Sequence, residues 1–323
     1  MAQLRSYRST GLIGQSSGAA VAALKARAAA WDVPLTENAE QLAMSVWGCE
    51  LRLTPHGDSL SVDLAAPEER LIGTLRDSAT EIFAEVGLQV AWDHVDAGAL
   101  APGLSLMRVA SVHDLTPGFI RVRLTGEDTA RFTEGGMHFR LLLPPAGRTA
   151  IWPRVQPTGR VGWPEGADAL HRAVYTVAAY GPGWLDFDIF RHAGSPTCDW
   201  AADRALGMTV GIMGPGGGTC PTAPRVHLFG DETALPAMRR ILAEAPGAVT
   251  ATIRASVADL GDLAQDARVH SADDLVWAVA DTDIAPEDHV WFAASADESK
   301  FARKALIARG HAKRDMMIAA YWS

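Results

Sequence analysis

Two acidic residues stand in a strand-to-helix turn, at a place where a phosphate-binding turn carries glycines. Residues 227–242, HLFGDETALPAMRRIL, predict the end of a strand, a tight turn and the start of a helix. Pro236 is tolerated only in the first turn of a helix, so it marks where this helix begins. Carboxylates are favourable near the positive end of a helix, so Asp231 and Glu232 are expected to shape and cap the turn. The same acids would repel a phosphate group held against them.

The chain lacks the short motifs that mark a hydrolase, a metalloenzyme or a phosphate-binding loop. GPGGGT fails as a dinucleotide fingerprint because Thr219 stands where the last glycine should be, and no helix is predicted after it. There is no GK[ST], no HExxH and no GxSxG, and the ten histidines are scattered without metal-ligand spacing. An enzyme that borrows redox chemistry from a cofactor leaves no acid–base constellation of its own. We therefore predict no catalytic side chain and no metal site.

The composition is that of an ordinary globular protein with a moderate acidic charge. The net charge of −9 argues against a nucleic-acid binder, because phosphate contacts need a surface rich in Lys and Arg. Cys49, Cys198 and Cys220 form no CxxC pair, and their odd number argues against a disulfide framework and fits a reducing compartment. No apolar run is long enough to predict membrane insertion. An apolar stretch near the N-terminus is interrupted by Gly-Gln-Ser-Ser, which argues against a secretory signal, so we expect a cytoplasmic protein.

Residues 1–98 predict a small α-β-β-β-α domain. GAAVAALKARAAAW is Ala-rich with a helical apolar face, and AMSVWG, CELRLTP and SLSVDLA follow it as strand candidates. PEERLIGTLRDSATEIFAEVG starts with a proline and acids and stops at Gly87, which are the start and stop signals of a helix. DAGALAPG reads as the linker after this domain.

Two further domains are predicted after the linker. Residues 104–216 hold short strand candidates separated by Gly, Pro and Asp turns, which predicts an antiparallel β-barrel. Residues 224–323 alternate strands with helices, which predicts a parallel α/β domain. The carboxyl ends of parallel strands form a ligand crevice, and a barrel can present a second ligand to it. This architecture suits an enzyme that uses two cofactors.

The order of several stretches resembles that of one protein family. In chain order these are HRAVYTV, DFDIFRHAG, CDWAADRALGMTVGIMGPGG, the turn at 230–236 and the terminal AAYWS. Together they resemble the siderophore-interacting protein family of flavin-dependent ferric-siderophore reductases, a branch of the ferredoxin-reductase-like flavoproteins. The resemblance covers roughly residues 104–323. Residues 15–95, with CELRLTPHGDSLSVDL, resemble a small domain of unknown function found beside or fused to such reductases.

The resemblance implies an FAD-binding barrel, an NAD(P)H-binding α/β domain and electron transfer to ferric iron held by a siderophore. Tyr175 then offers a flat face for the isoalloxazine ring, Thr176 a hydroxyl for its reactive edge, and Arg172 a fork of donors for the diphosphate. The same three residues also fit an ordinary barrel strand with a core tyrosine and a surface arginine. The positions that match the family's loop along the diphosphate and adenosine side of FAD are His192, Gly194, Trp200 and Ala201.

Related flavoproteins use a Gly-rich turn and an Ala-Pro helix start for the nicotinamide end of NAD(P)H, and the acidic turn keeps that outline. The nicotinamide end carries little negative charge, so the acids need not meet a phosphate. An ordinary capped helix explains the same residues. The positions carried over to this turn are Gly230, Asp231, Thr233, Ala234 and Pro236. Trp322, in the family's aromatic ending, could cover the flavin or close the core.

The nucleotide and the ferric chelate are both anionic and need local cations. Candidates for the 2′-phosphate of NADPH are Arg254, Lys300, Arg303 and Lys304, which equally fit a solvated helix face. The preference for NADPH over NADH therefore comes from the resemblance alone. Arg154, Arg160 and the cations at 300–304 are candidates for attracting an anionic ferric chelate.

The chain departs from the family pattern on the flavin strand. The family usually has one arginine two residues before the tyrosine and another two residues after the threonine. Here the nearest preceding arginine is Arg172, three residues before Tyr175, and the later position is Ala178. Losing a cation there could loosen the flavin diphosphate or alter the siderophore pocket.

The predicted function is that of an FAD-dependent NAD(P)H oxidoreductase that reduces a ferric siderophore and releases Fe(II) in the cytoplasm. One alternative is a flavoprotein reductase with another acceptor, such as a quinone or free flavin. The other is a non-catalytic siderophore- or flavin-binding protein, which the Ala178 departure favours.

Overall fold

The computed structural model describes residues 5–14 and 17–322, and the chain divides into two compact units. The first unit comprises Met1–Leu104 with Pro144–Leu170, and the second comprises Ser105–Leu143 with His171–Ser323. The segment 144–170 was predicted as part of the 104–216 barrel. In the structure this segment makes its contacts mainly with the N-terminal unit, where the Val161 N–H donates to Asp77 Oδ1 at 2.8 Å.

The helices and strands follow one another along the chain as follows. In the first hundred residues they are β1 (Tyr7–Gly14), α1 (Ser17–Ala30), β2 (Leu35–Glu37), β3 (Leu42–Val46), β4 (Cys49–His56), β5 (Ser59–Ala66), α2 (Glu69–Ala84) and β6 (Ala91–Trp92). Up to the end of the antiparallel region they are β7 (Leu104–Thr116), β8 (Phe119–Thr125), β9 (His138–Leu143), β10 (Arg154–Val155), β11 (Val161–Gly162), β12 (His171–Thr176), β13 (Ala179–Gly181), β14 (Trp184–Phe190), α3 (Pro196–Asp203) and β15 (Thr209–Gly216). The last are β16 (Arg225–Asp231), α4 (Leu235–Glu244), β17 (Ala248–Arg254), α5 (Val257–Leu260), β18 (Val269–Ser271), α6 (Leu275–Asp281), β19 (His289–Ser295), α7 (Ala296–Ala308) and β20 (Met316–Trp322).

The first unit is built on a six-stranded antiparallel sheet in the order β2-β3-β4-β5-β1-β6. The predicted α-β-β-β-α order is present as α1, β3, β4, β5 and α2. The strand β1 was not predicted, although it pairs with β5 along its whole length. Its inward positions are Ser9, Gly11 and Ile13, so only one of the three carries a large apolar side chain. The alternation that predicts a strand is therefore absent from this stretch.

The antiparallel sheet of the second unit has seven strands in the order β12-β9-β15-β7-β8-β14-β13. Its two edge strands, β12 and β13, follow each other in the chain with only Val177 and Ala178 between them. The sheet therefore curls back on itself around a buried apolar core, as the predicted barrel requires. Two bidentate pairs between β8 and β14 support the register, since Arg121 holds Asp188 and Arg123 holds Asp186 at 2.7–2.8 Å.

The parallel sheet has five strands in the order β18-β17-β16-β19-β20, with helices on both faces. One apolar core lies under α4, and the other lies under α6 and α7. Asp259 connects this sheet to the antiparallel one within the second unit, because its Oδ1 accepts from Thr116 Oγ1 at 2.6 Å and from the Gly118 N–H at 2.8 Å. The predicted antiparallel barrel followed by a parallel α/β domain is confirmed.

Two expectations drawn from composition can be compared with the structure. Cys49, Cys198 and Cys220 are free thiols. Among the residues that the structure describes, no helix combines the length and the apolar composition that a membrane crossing needs.

Gly230 is required by close packing between β16 and α4. A Cβ atom at this position would lie 2.6 Å from Met238 Sδ and 2.7 Å from Ala234 Cβ. We expect Gly230→Ala to lower the free energy of unfolding by about 2 kcal/mol, because overpacking a tight core forces its neighbours apart. Urea denaturation measures this change.

Gly18→Ala is the matched control, because nothing lies within 4 Å of a Cβ added there and the residue sits in the helix α1. This variant should unfold at the same urea concentration as the wild type or slightly higher. Equal stability of Gly230→Ala and the wild type would show that the interface between β16 and α4 is looser than described.

Candidate functional site

The strand β12 presents two different sets of side chains, because residues alternate between the faces of a strand. Arg172 and Thr176 share one face, and His171 and Tyr175 share the other. Arg172 is exposed, whereas Thr176 is buried at the end of the strand. An arginine two residues before Tyr175 would share the face of the tyrosine, but that position is Ala173. The structure therefore places the predicted guanidinium and the predicted aromatic ring on opposite faces.

The side chain of Tyr175 is half-buried and connects the strand to α3. Its ring packs against Phe187 with 5.0 Å between the ring centroids and 48° between the ring planes. Its hydroxyl is hydrogen-bonded to Thr197 in the first turn of α3, and burial raises the pKa of Tyr175 to about 12. The His171 Nε2 atom lies 3.1 Å from the same threonine Oγ1. The tyrosine face of β12 is thus fixed against the start of a helix.

The loop before α3 leaves space at the start of that helix. Gly194 has a φ of 75°, and nothing lies within 4 Å of a Cβ added there. Ser195 is the N-cap, and its Oγ accepts from the Cys198 N–H at 3.2 Å. His192 is exposed beside this loop. A helix start offers backbone N–H groups and a positive dipole end, which suit an anionic group.

Trp200 and Ala201 lie on the inner side of α3. Trp200 is fully buried and Ala201 is 5% exposed, and both belong to the core of the antiparallel sheet. The structure gives both side chains a packing role that holds the helix against the sheet. Their direct contact with a cofactor stays a prediction.

The acidic turn after β16 is organised around the Asp231 carboxylate, which is only 1% exposed. Its Oδ1 accepts from the Thr233 N–H at 3.0 Å and from Thr233 Oγ1 at 2.6 Å, and its Oδ2 accepts from Trp322 Nε1 at 2.7 Å. Arg254 adds a guanidinium nitrogen 3.7 Å from Oδ2. The prediction that Asp231 caps the turn is confirmed, because it is the N-cap of the single helical turn Glu232–Ala234.

The other residues predicted for this turn are either buried in the core or partly exposed to solvent. Ala234 and Pro236 are buried in the core under α4, and Gly230 has no room for a side chain. Glu232 and Thr233 are half-buried. The surface that this turn offers to a ligand is therefore made by its second and third residues.

Strand pairing and two side-chain hydrogen bonds connect the end of β12 to the acidic turn. Thr176 pairs with His138 on the neighbouring strand β9. The His138 Nε2 atom lies 2.7 Å from the Tyr321 hydroxyl, and the next residue, Trp322, donates to Asp231. The end of β20 thus connects the two predicted ligand positions. His138 was not among the predicted site residues.

His138 also holds a buried polar atom without a partner. Its Nδ1 atom has no hydrogen bond within the described part of the chain, and the side chain is 7% exposed. Burial first, and the charge of Arg240 second, lower the pKa of His138 to about 4. The imidazole is therefore neutral at pH values near neutrality.

The lowered pKa of His138 makes stability depend on pH. The unfolded residue has a pKa of about 6.5, so it takes up a proton that the folded residue does not. The stabilising contribution is fully present above a pH of about 6.5 and is lost as the pH falls toward 4. Between a pH of about 7 and one of about 5 the loss is roughly 2 kcal/mol.

Urea unfolding of the wild type and of His138→Gln at these two pH values measures that loss. The variant should lose roughly 2 kcal/mol less than the wild type on acidification, whereas His56→Gln, at an exposed hairpin residue, should follow the wild type. The same pH dependence in His138→Gln and in the wild type would contradict the assignment.

Some of the predicted cations form ion pairs or hydrogen bonds within the protein, and others are exposed. Arg254 pairs with Glu298 at 2.5 and 3.1 Å, and Arg303 donates to the Ile318 carbonyl at 2.7 Å. Lys300 and Lys304 are exposed on α7. Arg154 and Arg160 lie in the first unit, where Arg154 donates to the Gly98 carbonyl and Arg160 pairs with Asp77 and Glu81.

The second unit therefore combines an antiparallel sheet, whose edge strand faces the start of α3, with a parallel α/β sheet. Two protein-family models match this chain: the siderophore-interacting FAD-binding domain at residues 108–219 and the siderophore-interacting protein at residues 223–323. The chain belongs to the siderophore-interacting protein family. Both the predicted family and the FAD-binding domain are thereby confirmed.

Known proteins resemble this chain over part of its length. The ferric vibriobactin reductase of Vibrio cholerae serotype O1 is 31% identical over 158 residues, which are 46% of this chain and 56% of that protein. The chain thus spans about half the length of this curated relative. The crystal structure of a siderophore utilization protein from T. fusca covers 71% of this chain and 95% of its own, with 28% identity and a TM-score of 0.59. The siderophore-interacting protein of Aeromonas hydrophila shares the fold, at 23% identity and a TM-score of 0.53 over 68% of this chain and 97% of its own.

The residues present fit a flavin at the ring and at the helix start. The Thr176 hydroxyl supplies a polar group at the end of β12, and Tyr175 supplies an aromatic ring on the other face of the strand. The open space at Gly194 leaves the start of α3 accessible to a diphosphate. The tyrosine face of β12 carries Ala173 between His171 and Tyr175, so this face of the strand has no arginine. The fit therefore depends on neutral donors for the diphosphate.

Proposed function

We propose that this chain is an FAD-dependent NAD(P)H oxidoreductase that reduces a ferric siderophore and releases Fe(II) in the cytoplasm. When bound, FAD would supply the change from hydride transfer to single-electron transfer. The observation that carries the proposal is the contact series from Thr176 through His138 and Tyr321 to Trp322 and Asp231. It joins the strand proposed for the flavin ring to the turn proposed for the nicotinamide.

Residues at the end of β12 and at the start of α3 have proposed roles in holding the flavin. Tyr175 presents its ring, and the hydrogen bond of its hydroxyl to Thr197 keeps that ring from rotating. The first turn of α3, opened by Gly194, provides backbone N–H groups for the diphosphate. His192 borders the same loop. Thr176 provides a hydroxyl at the end of the strand for the reactive edge of the ring.

The acidic turn is proposed to hold the nicotinamide by shape and not by charge. The Asp231 carboxylate accepts hydrogen bonds from Thr233 and Trp322 and lies near Arg254, so both of its oxygens are occupied inside the turn. Trp322 is about half exposed and fixed through its indole N–H. This fixed ring is suited to cover the space between the two ligands.

The proposed electron acceptor is a ferric chelate with hard oxygen ligands. The relative named as a ferric vibriobactin reductase supports this class of substrate. Fe(III) is held strongly by oxygen donors and Fe(II) much more weakly, so reduction releases the metal. Lys300 and Lys304, exposed on α7, are the proposed local cations on an otherwise acidic protein.

A comparison of acceptors and nucleotides tests the proposed function. Purified full-length chain with added FAD should oxidise NADPH or NADH faster with a ferric siderophore than with a quinone or free flavin. Removing the charges of Lys300 and Lys304 together should slow the reduction of an anionic ferric chelate more than the reduction of a neutral quinone. Faster turnover with a quinone or free flavin would assign a different acceptor to the same flavoprotein.

A further inference from the structure

The first unit contains a buried arginine that lacks a counter-ion. Arg76, on α2, is 8% exposed, and its Nη2 donates to Ser9 Oγ at 3.2 Å. Its Nε has no hydrogen-bond partner, and within residues 5–14 and 17–322 no carboxylate forms an ion pair with it. A charge taken out of water is costly unless an opposite charge and hydrogen bonds compensate it. Arg76 therefore sits as a buried cation whose partner is missing.

This arginine lines a cavity of about 410 Å³ that lies within the first unit. The volume falls in the range of pockets for small organic molecules, roughly 300–1,000 Å³. The lining includes the apolar side chains of Ile72, Leu100 and Pro102. Arg8, exposed on β1, adds a second guanidinium to the lining. A cavity lined by both apolar side chains and two cations suits a small molecule that carries an anionic group.

Acidic residues also face the cavity, and their exposure decides their effect. Glu69 is exposed, and Asp96 is exposed and lies 2.7 Å from His94 Nε2. Water screens these carboxylates at the rim, whereas Arg76 is shielded from water. The rim acids can accept hydrogen bonds from hydroxyl groups. The lining therefore combines a buried site for an oxyanion with a rim that can bind hydroxyl groups on the rest of the ligand.

We infer that the N-terminal unit binds a small organic molecule bearing a carboxylate or phosphate group, with its oxyanion paired to Arg76. Both anionic groups present oxygen atoms that a guanidinium fork recognises in the same way. The ligand supplies the ion-pair partner that no described carboxylate gives to Arg76. This activity is independent of the redox reaction proposed for the second unit.

Calorimetric titration of the full chain with sodium benzoate and with inorganic phosphate, at constant ionic strength, tests the inference and separates the two sources. Heat of binding with benzoate assigns a carboxylate, and heat with phosphate alone assigns a phosphate ligand. Benzyl alcohol, which has the apolar ring without the charge, should give no heat. Arg76→Met should raise the dissociation constant of the anion at least about tenfold, because a charge-assisted hydrogen bond is lost.

Arg70→Gln is the matched control, because Arg70 lies on the same helix, pairs with Glu68 and does not line the cavity. It should bind like the wild type. Arg8→Gln, on the exposed surface of β1, should weaken binding and serves as the deciding variant if Arg76→Met fails to fold. The inference would be overturned if neither anion binds. It would also be overturned if Arg76→Met binds the anion as tightly as the wild type. If Arg76→Met does not fold, unchanged affinity in Arg8→Gln has the same consequence.

Discussion

Replacing Asp231 with alanine should lower the free energy of unfolding by about 3 kcal/mol. The carboxylate is 1% exposed and accepts hydrogen bonds from Thr233 and from the indole of Trp322. Alanine leaves these donors without their acceptor in a buried site and removes the carboxylate that lies 3.7 Å from the Arg254 guanidinium. The turn and the end of β20 then lose the contact that joins them.

The same substitution should lower kcat/KM for NAD(P)H more than tenfold, because the proposed nicotinamide turn loses its cap and Trp322 loses its anchor. Glu232→Ala is the control in the same turn, and this half-buried neighbour should change stability by no more than about 0.5 kcal/mol. Urea denaturation with steady-state kinetics measures both effects. If Asp231→Ala unfolds like Glu232→Ala, the carboxylate does not organise this turn.

Placing an arginine at position 173 should strengthen FAD binding by a factor of about 10 to 100. Ala173 shares the tyrosine face of β12 with His171 and Tyr175, next to the start of α3. Burial lowers the pKa of His171, so this histidine brings no positive charge at neutral pH. A guanidinium there restores a charge-assisted partner for the diphosphate on the face where the family carries it.

The control for this gain is Val174→Arg, which adds the same charge one residue further along the chain. Val174 is 61% exposed on the opposite face of the strand, with Arg172 and Thr176. Titration with FAD, followed by the quenching of flavin fluorescence, should show tighter binding for Ala173→Arg alone. Equal gains in both variants would show that general charge, and not the tyrosine face, controls affinity.

Local sequence patterns were sufficient to predict those elements that depend on residues close together in the chain. Periodicity predicted the antiparallel and parallel sheets, and Pro236 with two acids predicted a capped helix start. The strand β1 was not predicted, because small residues occupy two of its three inward positions. The contacts of segment 144–170 with the N-terminal unit were not predicted either, because they join residues such as Val161 and Asp77, which are 84 positions apart.

The candidate site was predicted less completely because its contacts join distant parts of the chain. His138 and Tyr321 are 183 positions apart, so no local motif indicates their hydrogen bond. The position of Arg172 is different, since counting alternate residues along β12 already separates it from Tyr175. Trp200 was assigned from the matching family loop, and only tertiary packing shows that its indole lies in the core.

The central claim is that the strand β12 and the start of α3 hold a flavin that serves ferric-siderophore reduction. The most direct test incubates purified full-length chain with FAD, removes unbound flavin, and adds NADPH and a ferric siderophore under anaerobic conditions with an Fe(II) trap. The account predicts a yellow protein and Fe(II) formation that requires both the protein and NADPH. A colourless protein that retains no FAD and yields no Fe(II) above the protein-free mixture would contradict it.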